Sequence, residues 1–168
     1  DKDALVVNGN SGDFISGGHV PASIRNINAL TGNGYVTFID EFLKKHLSLW
    51  VSRFSPEQCN RMGNILRSDV KTDGLLDDNM PAYAIWEWLE FVNRQSKYVI
   101  SGQRIYDFLS LDWELPLWQD AYLDFWAKIP ISLKANQLLY KDMLLQENWG
   151  GVWDGIPINQ KFITPRWI

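Results

Sequence analysis

Only one short stretch of this 168-residue chain reads as a β-strand, and almost everything after it reads as amphipathic helix. Residues 3–10 carry the apolar run ALVV and lead straight into NGNSGDFISGG, whose four glycines permit tight turns and close approach of backbone to a ligand. A lone strand leaves a row of backbone N–H and C=O groups unsatisfied, so it demands a neighbour. That neighbour is expected outside the sequence, and the chain is expected to be a piece of a longer protein. It opens on Asp rather than Met and closes on the apolar PRWI, whereas free chain ends are usually polar and frayed.

Helical stripes follow in series. Between 37 and 51, apolar residues fall at 38, 39, 42, 43, 47 and 50, with Thr37 placed as an N-cap. Ser55-Pro56-Glu57-Gln58 is a capping-box signature with Pro at the first helical position. Cys59, Met62, Ile65 and Leu66 continue that helix on one face to about Val70. After the turn-rich KTDGLLDDN, Ala82, Ile85, Trp86, Leu89 and Val92 form another stripe, and helix resumes around 97–109. Pro116 suits the start of the next helix, whose inner face carries Trp118, Tyr122, Phe125 and Ile129 until Pro130 ends it. A last helix spans 137–146 with Asn136 as cap, and the tail from ENWGG onward, lacking any period, reads as an ordered loop. The expected architecture is a single domain over 1–168: mostly α, a helical bundle with one or few N-terminal strands.

Composition narrows the function. With 46% apolar and 21% charged residues, and no apolar run near the ~18 that cross a bilayer, the chain reads as soluble and globular. Sixteen Lys plus Arg against twenty Asp plus Glu give −4 without a basic block, which argues against a surface that tracks nucleic-acid phosphates. One cysteine and no leader sequence fit a reduced, cytoplasmic setting. The same cysteine with only two histidines argues against a Cys/His zinc site. No G-x-S-x-G elbow supports a serine-histidine centre on His19, and His46 sits within a helix. Cys59, mid-helix on an apolar face, reads as an inert packed thiol.

Nine tryptophans stand at 50, 86, 88, 113, 118, 126, 149, 153 and 167. Each ring removes roughly 150–250 Å² from water, so a modest domain gains a core from them; alternatively several rings share a face and stack on sugars or bases. Trp86 and Trp88, two residues apart on a helix, cannot both point inward.

Two residues are candidates for chemistry. Asp13 is the only carboxylate in the glycine turn at a strand's carboxyl end, where open α/β sheets place their sites. A single carboxylate beside a triphosphate is a normal way to hold Mg²⁺, which completes its octahedron with phosphate and water; equally, Asp13 could cap the helix that follows. Lys161, in the aromatic-flanked tail INQKFITP, could face phosphate charge or water.

Together these segments resemble the C-terminal half of the synthetase domain of asparagine synthases and the related β-lactam synthetases. LVVNGNSGDFISGGH lies over a family stretch reading roughly L-x-S-G-x-G-x-D-E-x-x-G-G-Y, and Asn93-Arg94-Gln95-Ser96 looks like its D-R-x-S. DWELPLWQD is similar to E-x-R-x-P-F-L-D, AKIPISLK to S-L-P-x-x-L-K, and QLLYKDML to K-Y-L-L-R-x-A-L. The five matches keep the family's order and cover nearly the whole chain. Their flavour is closest to asparagine-synthase-like proteins of bacterial O-antigen and capsule pathways.

The resemblance implies part of an α/β adenine-nucleotide α-hydrolase-like domain that uses ATP and Mg²⁺ to adenylate a carboxylate, which an amine or ammonia then attacks to give an amide. It would place Asp13 on the metal, Gly9, Asn10, Ser11 and Gly12 along the nucleotide's phosphates, and Lys161 on transition-state charge. Asp112 stands where E-x-R-x-P has its Glu, and the resemblance would make it a catalytic residue together with Lys161. The chain departs from the pattern at Asn10, where the family has Glu or Tyr, at Phe14 in place of Glu, and at Glu114 in place of Arg. A different acceptor carboxylate, a precursor of a surface polysaccharide, is the implied substrate. Implied partners are an N-terminal half carrying the S-G-G-x-D-S pyrophosphate loop, a glutaminase domain or subunit as ammonia source, and a second copy pairing its open sheet edge; Ser16-Gly17-Gly18 matches that loop only superficially. Alone, the chain is expected to be inactive. The alternative is a non-catalytic carbohydrate- or protein-binding module that kept the fold.

Overall fold

A computed structural model describes residues 4–49, 53–72 and 80–158; Lys161, Trp50 and Trp167 lie outside the described residues, as does most of the KTDGLLDDN connection. The protein is mostly helical with a small parallel sheet at its N-terminal end, as the periodicity predicts. Among the described residues no helix is long and apolar enough to cross a membrane.

Strand β1 (Leu5–Val7) is followed by two single-turn helices, α1 (Gly12–Ile15) and α2 (Ala22–Arg25), and then by the long helices α3 (Gly32–His46) and α4 (Pro56–Thr72). Helix α5 (Ala82–Glu90) runs on into a π-helical segment, Phe91–Ile100, and a short 3-10 turn leads to α6 (Arg104–Phe108). Strand β2 (Asp112–Glu114) precedes α7 (Asp120–Lys128), α8 (Ile131–Lys134) and α9 (Leu138–Glu147).

The lone-strand expectation is corrected here. β1 pairs in parallel with β2, Leu5 opposite Asp112, Val6 opposite Trp113 and Val7 opposite Glu114, and Asn8 N extends the ladder to the Glu114 carbonyl at 3.0 Å. A parallel pair needs a long crossover between its strands, and the helices from α1 to α6 supply it. DWE gave no strand signal because two of its three residues are acidic and β-poor.

Helix α3 also starts earlier than the stripe suggests. Thr31, not Thr37, occupies the N-cap position in extended conformation, because Gly32 and Gly34, which read as breakers, are absorbed into the first turn. The capping box of α4 forms as expected: Ser55 N donates to Gln58 Oε1 at 2.8 Å while Gln58 N donates to Ser55 Oγ at 3.2 Å. Asn136 is not the cap of α9; it and Gln137 adopt left-handed backbone, and Gln137 holds the N-cap position. Beyond α9 the described part of the tail, residues 148–158, is held by its own bonds, with Asn148 Nδ2 donating to Asp154 Oδ1 at 2.7 Å and Trp153 N to Asn148 Oδ1 at 2.9 Å.

Two apolar clusters organise the helices. The larger gathers Val20 and Ile24, Phe38, Ile39, Phe42 and Leu43 of α3, Val70 of α4, and Ala82, Ile85, Trp86 and Leu89 of α5. Cys59 packs half-buried at its edge. The smaller holds Phe14, Ile15 and Trp126, flanked by Phe91, Leu117, Tyr122, Leu123, Leu139 and Tyr140. Trp86 is fully buried in the first cluster while Trp88 stays half-buried against it, the divergence that their two-residue spacing requires.

Candidate functional site

The turn that leaves β1 is held from several elements at once. Asn8 Nδ2 donates to Gln103 Oε1 at 2.8 Å, and Asn8 Oδ1 accepts from Asn10 N at 3.1 Å. Ser11 adopts left-handed backbone with φ 69° and buries its hydroxyl against Gln95 Oε1 at 2.7 Å. Gly12 packs against Leu117, and a Cβ there would stand 2.7 Å from its Cδ1, the movable end of that side chain. Gly17, at φ +87°, lies so close to α8 that a Cβ would come within 2.6 Å of the Lys134 carbonyl, and Gln137 Nε2 donates to Ser16 Oγ at 2.8 Å.

The other four segments that carry the resemblance reach this turn or the α1 residues that follow it. The segment 93–96 arrives through Gln95, DWELPLWQD through Glu114 and Leu117, AKIPISLK through Lys134, and QLLYKDML through Leu139 and Tyr140, which pack on the cluster around Phe14. The π-helical winding matters to this assembly. Ser96 Oγ donates to the Phe91 carbonyl at 2.8 Å and Ser101 Oγ to the Ser96 carbonyl at 3.2 Å, both five residues back. With that winding Gln95 lies over Glu90, its Nε2 3.3 Å from Glu90 Oε1, and its other end reaches Ser11.

Asp13 projects from the first turn of α1 with its side chain 64% exposed. Its Oδ1 accepts from Phe14 N at 2.9 Å, and its Oδ2 lies 2.8 Å from His19 Nε2. The other imidazole nitrogen, Nδ1, lies 2.5 Å from Oε1 of Glu90, whose side chain is fully buried. Lys45 Nζ donates to Glu90 Oε2 at 2.7 Å and to the His19 carbonyl at 2.9 Å, which also accepts from Trp86 Nε1 at 3.2 Å. An imidazole between two carboxylates satisfies both only when both nitrogens donate, which makes it the imidazolium. Charge thus alternates along the chain of contacts Asp13, His19, Glu90, Lys45, with the fully buried Glu90 between two partly covered cations.

The titration behaviour follows from these contacts. Burial pulls the His19 pKa down, but bonds to Asp13 and Glu90 carry it above the ordinary value. The His19 bond, opposed by burial, lowers Asp13. Burial pushes Glu90 up, yet His19 and Lys45 together bring it down to about 2. Burial lowers Lys45 despite Glu90, and it lowers the neighbouring His46 to about 4, leaving that ring neutral near pH 7.

Among the described residues no group of three or more His, Cys, Asp and Glu could hold a metal ion by itself. The donor set fits only a mode in which one carboxylate binds Mg²⁺ and phosphate and water complete the shell. Asp13 meets that requirement, being exposed and having a second lone pair on each oxygen. Gly9 is exposed and open on its Cβ side, and Asn10 is partly exposed, so both can meet a ligand; Ser11 and Gly12 spend their surface on Gln95 and Leu117. Asp112 is exposed at the start of β2 beside Leu5, the opposite end of the ladder from the turn. Glu114, not Asp112, ends beside it.

Sequence reasoning set His19 aside and did not single out Glu90 or Lys45. The signal was present: Lys45 stands three residues after Phe42 and Glu90 four after Trp86, each a charge on an apolar stripe. Comparison of the chain with protein-family models, curated proteins and solved structures gave no match.

Proposed function

We propose that this chain is the C-terminal part of an ATP-dependent, amide-forming ligase of the asparagine-synthase type, acting on a carboxylate precursor of a surface polysaccharide. What supports the reading is the packing of four separate, individually weak sequence segments around a fifth, the glycine turn with its exposed carboxylate.

In this reading Asp13 holds Mg²⁺, and the metal supplies neutralisation of phosphate charge during carboxylate adenylation. His19, anchored by Glu90 and Lys45, fixes the orientation of the Asp13 carboxylate. Gly9 and Asn10 line the phosphates, and Lys161 stabilises developing charge. An upstream half supplies the pyrophosphate loop, and a glutaminase partner supplies ammonia if ammonia is the amine.

The test uses the parent protein carrying its upstream sequence. Asp13→Asn should lower Mg²⁺-dependent ATP–pyrophosphate exchange by about 100-fold or more while circular dichroism stays unchanged, as expected when a transition-state charge contact is lost. Retained exchange removes Asp13 from the metal. The 168 residues alone should show no exchange, and robust exchange by them would contradict the division of parts. The alternative of a non-catalytic binding module draws on one observation, the ion pair that already engages Asp13 with His19. It requires that the parent protein show no exchange at all.

A further inference from the structure

A cleft of about 350 Å³ opens beside the glycine turn between α1, α5, α7 and α8. Its walls are aromatic: Phe14, Trp88, Phe91 and Trp126. Its charged groups are Glu87, Asp124 and Lys134, two carboxylates against one ammonium, and the indole N–H of Trp126 in the same wall is buried without an acceptor. Lys134 is almost wholly buried and bonds Glu87 Oε2 at 2.7 Å, whereas Glu87 Oε1 is buried with no hydrogen-bond partner. A buried carboxylate oxygen without a donor is costly and rare.

We propose that this cleft binds a primary amine carrying an apolar or aromatic body, with the ammonium donating to Glu87 and Asp124 and the body lying among the rings. The charge surplus selects a cation over a neutral or anionic ligand. Aromatic faces attract an ammonium further, since it meets their negative quadrupole. The Glu87 terminal torsion is soft, so the carboxylate can turn its free oxygen toward an arriving donor, and the Lys134 ammonium has to follow the other oxygen as it moves. Burial also holds the Glu87 carboxyl above its ordinary range against the pull of Lys134, and a second cation supplies the compensation it lacks.

The position suits a nucleophile. Phe14 follows Asp13 directly, and Glu87 lies one helical turn before Glu90 on α5. A role as the amine that attacks an activated carboxylate rests on the ligase reading above; the binding itself does not.

Titrating 2-phenylethylamine into the 168-residue chain, followed by calorimetry and by amide shifts in NMR, tests the binding. The amine should bind about tenfold more tightly than 2-phenylethanol, the contribution of a charge-assisted bond. Asp124→Asn, at an exposed site that leaves the fold intact, and Glu87→Gln should each erase most of that preference; if Glu87→Gln unfolds, Asp124→Asn decides. Equal affinity for the alcohol, or a preference untouched by Asp124→Asn, overturns the proposal. Amine binding by a chain whose parent shows no ATP–pyrophosphate exchange keeps the cleft and discards the ligase. Exchange without amine binding does the reverse.

Discussion

Glu90 is the residue on which the polar side of the core turns. Its side chain has no exposure, and it pairs with both His19 and Lys45 while accepting from Gln95; Arg94 lies 3.5 Å away on the same helix. Two limbs of pH dependence follow. The folded pKa of Glu90 falls from 4.5 to about 2, so its contribution is complete above 4.5 and is lost as pH drops toward 2. The His19 pKa is raised above 6.5, so its contribution is complete below 6.5 and is lost as pH climbs through the raised value. His46, lowered to about 4, adds to the acid limb because stability is lost as pH falls from 6.5 toward that value, so urea midpoints measured against pH should be highest near 6.5 and fall on either side. Glu90→Gln should flatten both limbs and lower stability by roughly 3 kcal/mol, the cost of stranding one side of a buried pair. A midpoint profile identical to the unsubstituted chain would show that the network carries no stability. None of this was legible by motif, because a salt bridge across 71 residues between His19 and Glu90 has no local signature.

At the scale of elements, what the sequence showed best was what depends on neighbours in the chain. The Ser55/Gln58 box is a purely local device, and it forms with both bonds in place. Ser55→Ala should cost about 1 kcal/mol by chemical denaturation, and a change below a few tenths would mean that α4 is held by packing alone. Elements set by distant partners were hidden. The three residues of β2 are a strand only because β1 lies beside them. The π-helical segment was read as the end of one helix and the start of another, since i→i+5 winding scrambles the 3.6-residue stripe. Of the candidate site, Asp13 and the turn were legible because glycines after a strand are conspicuous, whereas the inward commitment of Ser11 and Gly12 depends on Gln95 and Leu117, residues 84 and 105 positions away.

Across the whole molecule, one rod joins the two apolar clusters: Trp86 on α5 belongs to the larger, and Phe91, where the π-helical segment begins, flanks the smaller. The clusters should therefore melt together. Single-tryptophan reporters at Trp86 and Trp126, with the other rings changed to Phe in compensated backgrounds, should give coincident unfolding curves; separated transitions would make the clusters independent folding units. The open parallel ladder is the other molecular-scale feature, with Leu5 and Val7 left 51% and 62% exposed, a disposition rare for parallel strands, which are normally covered on both faces.

The wide winding of Phe91–Ile100 holds slack that a regular helix does not have. Tightening it by a single residue would swing the Gln95 amide away from the Ser11 hydroxyl, and the loop bearing Asp13 would lose its inner tether. Loop and rod thus keep each other in gauge, and a change in the pitch of one is a change in the aim of the other.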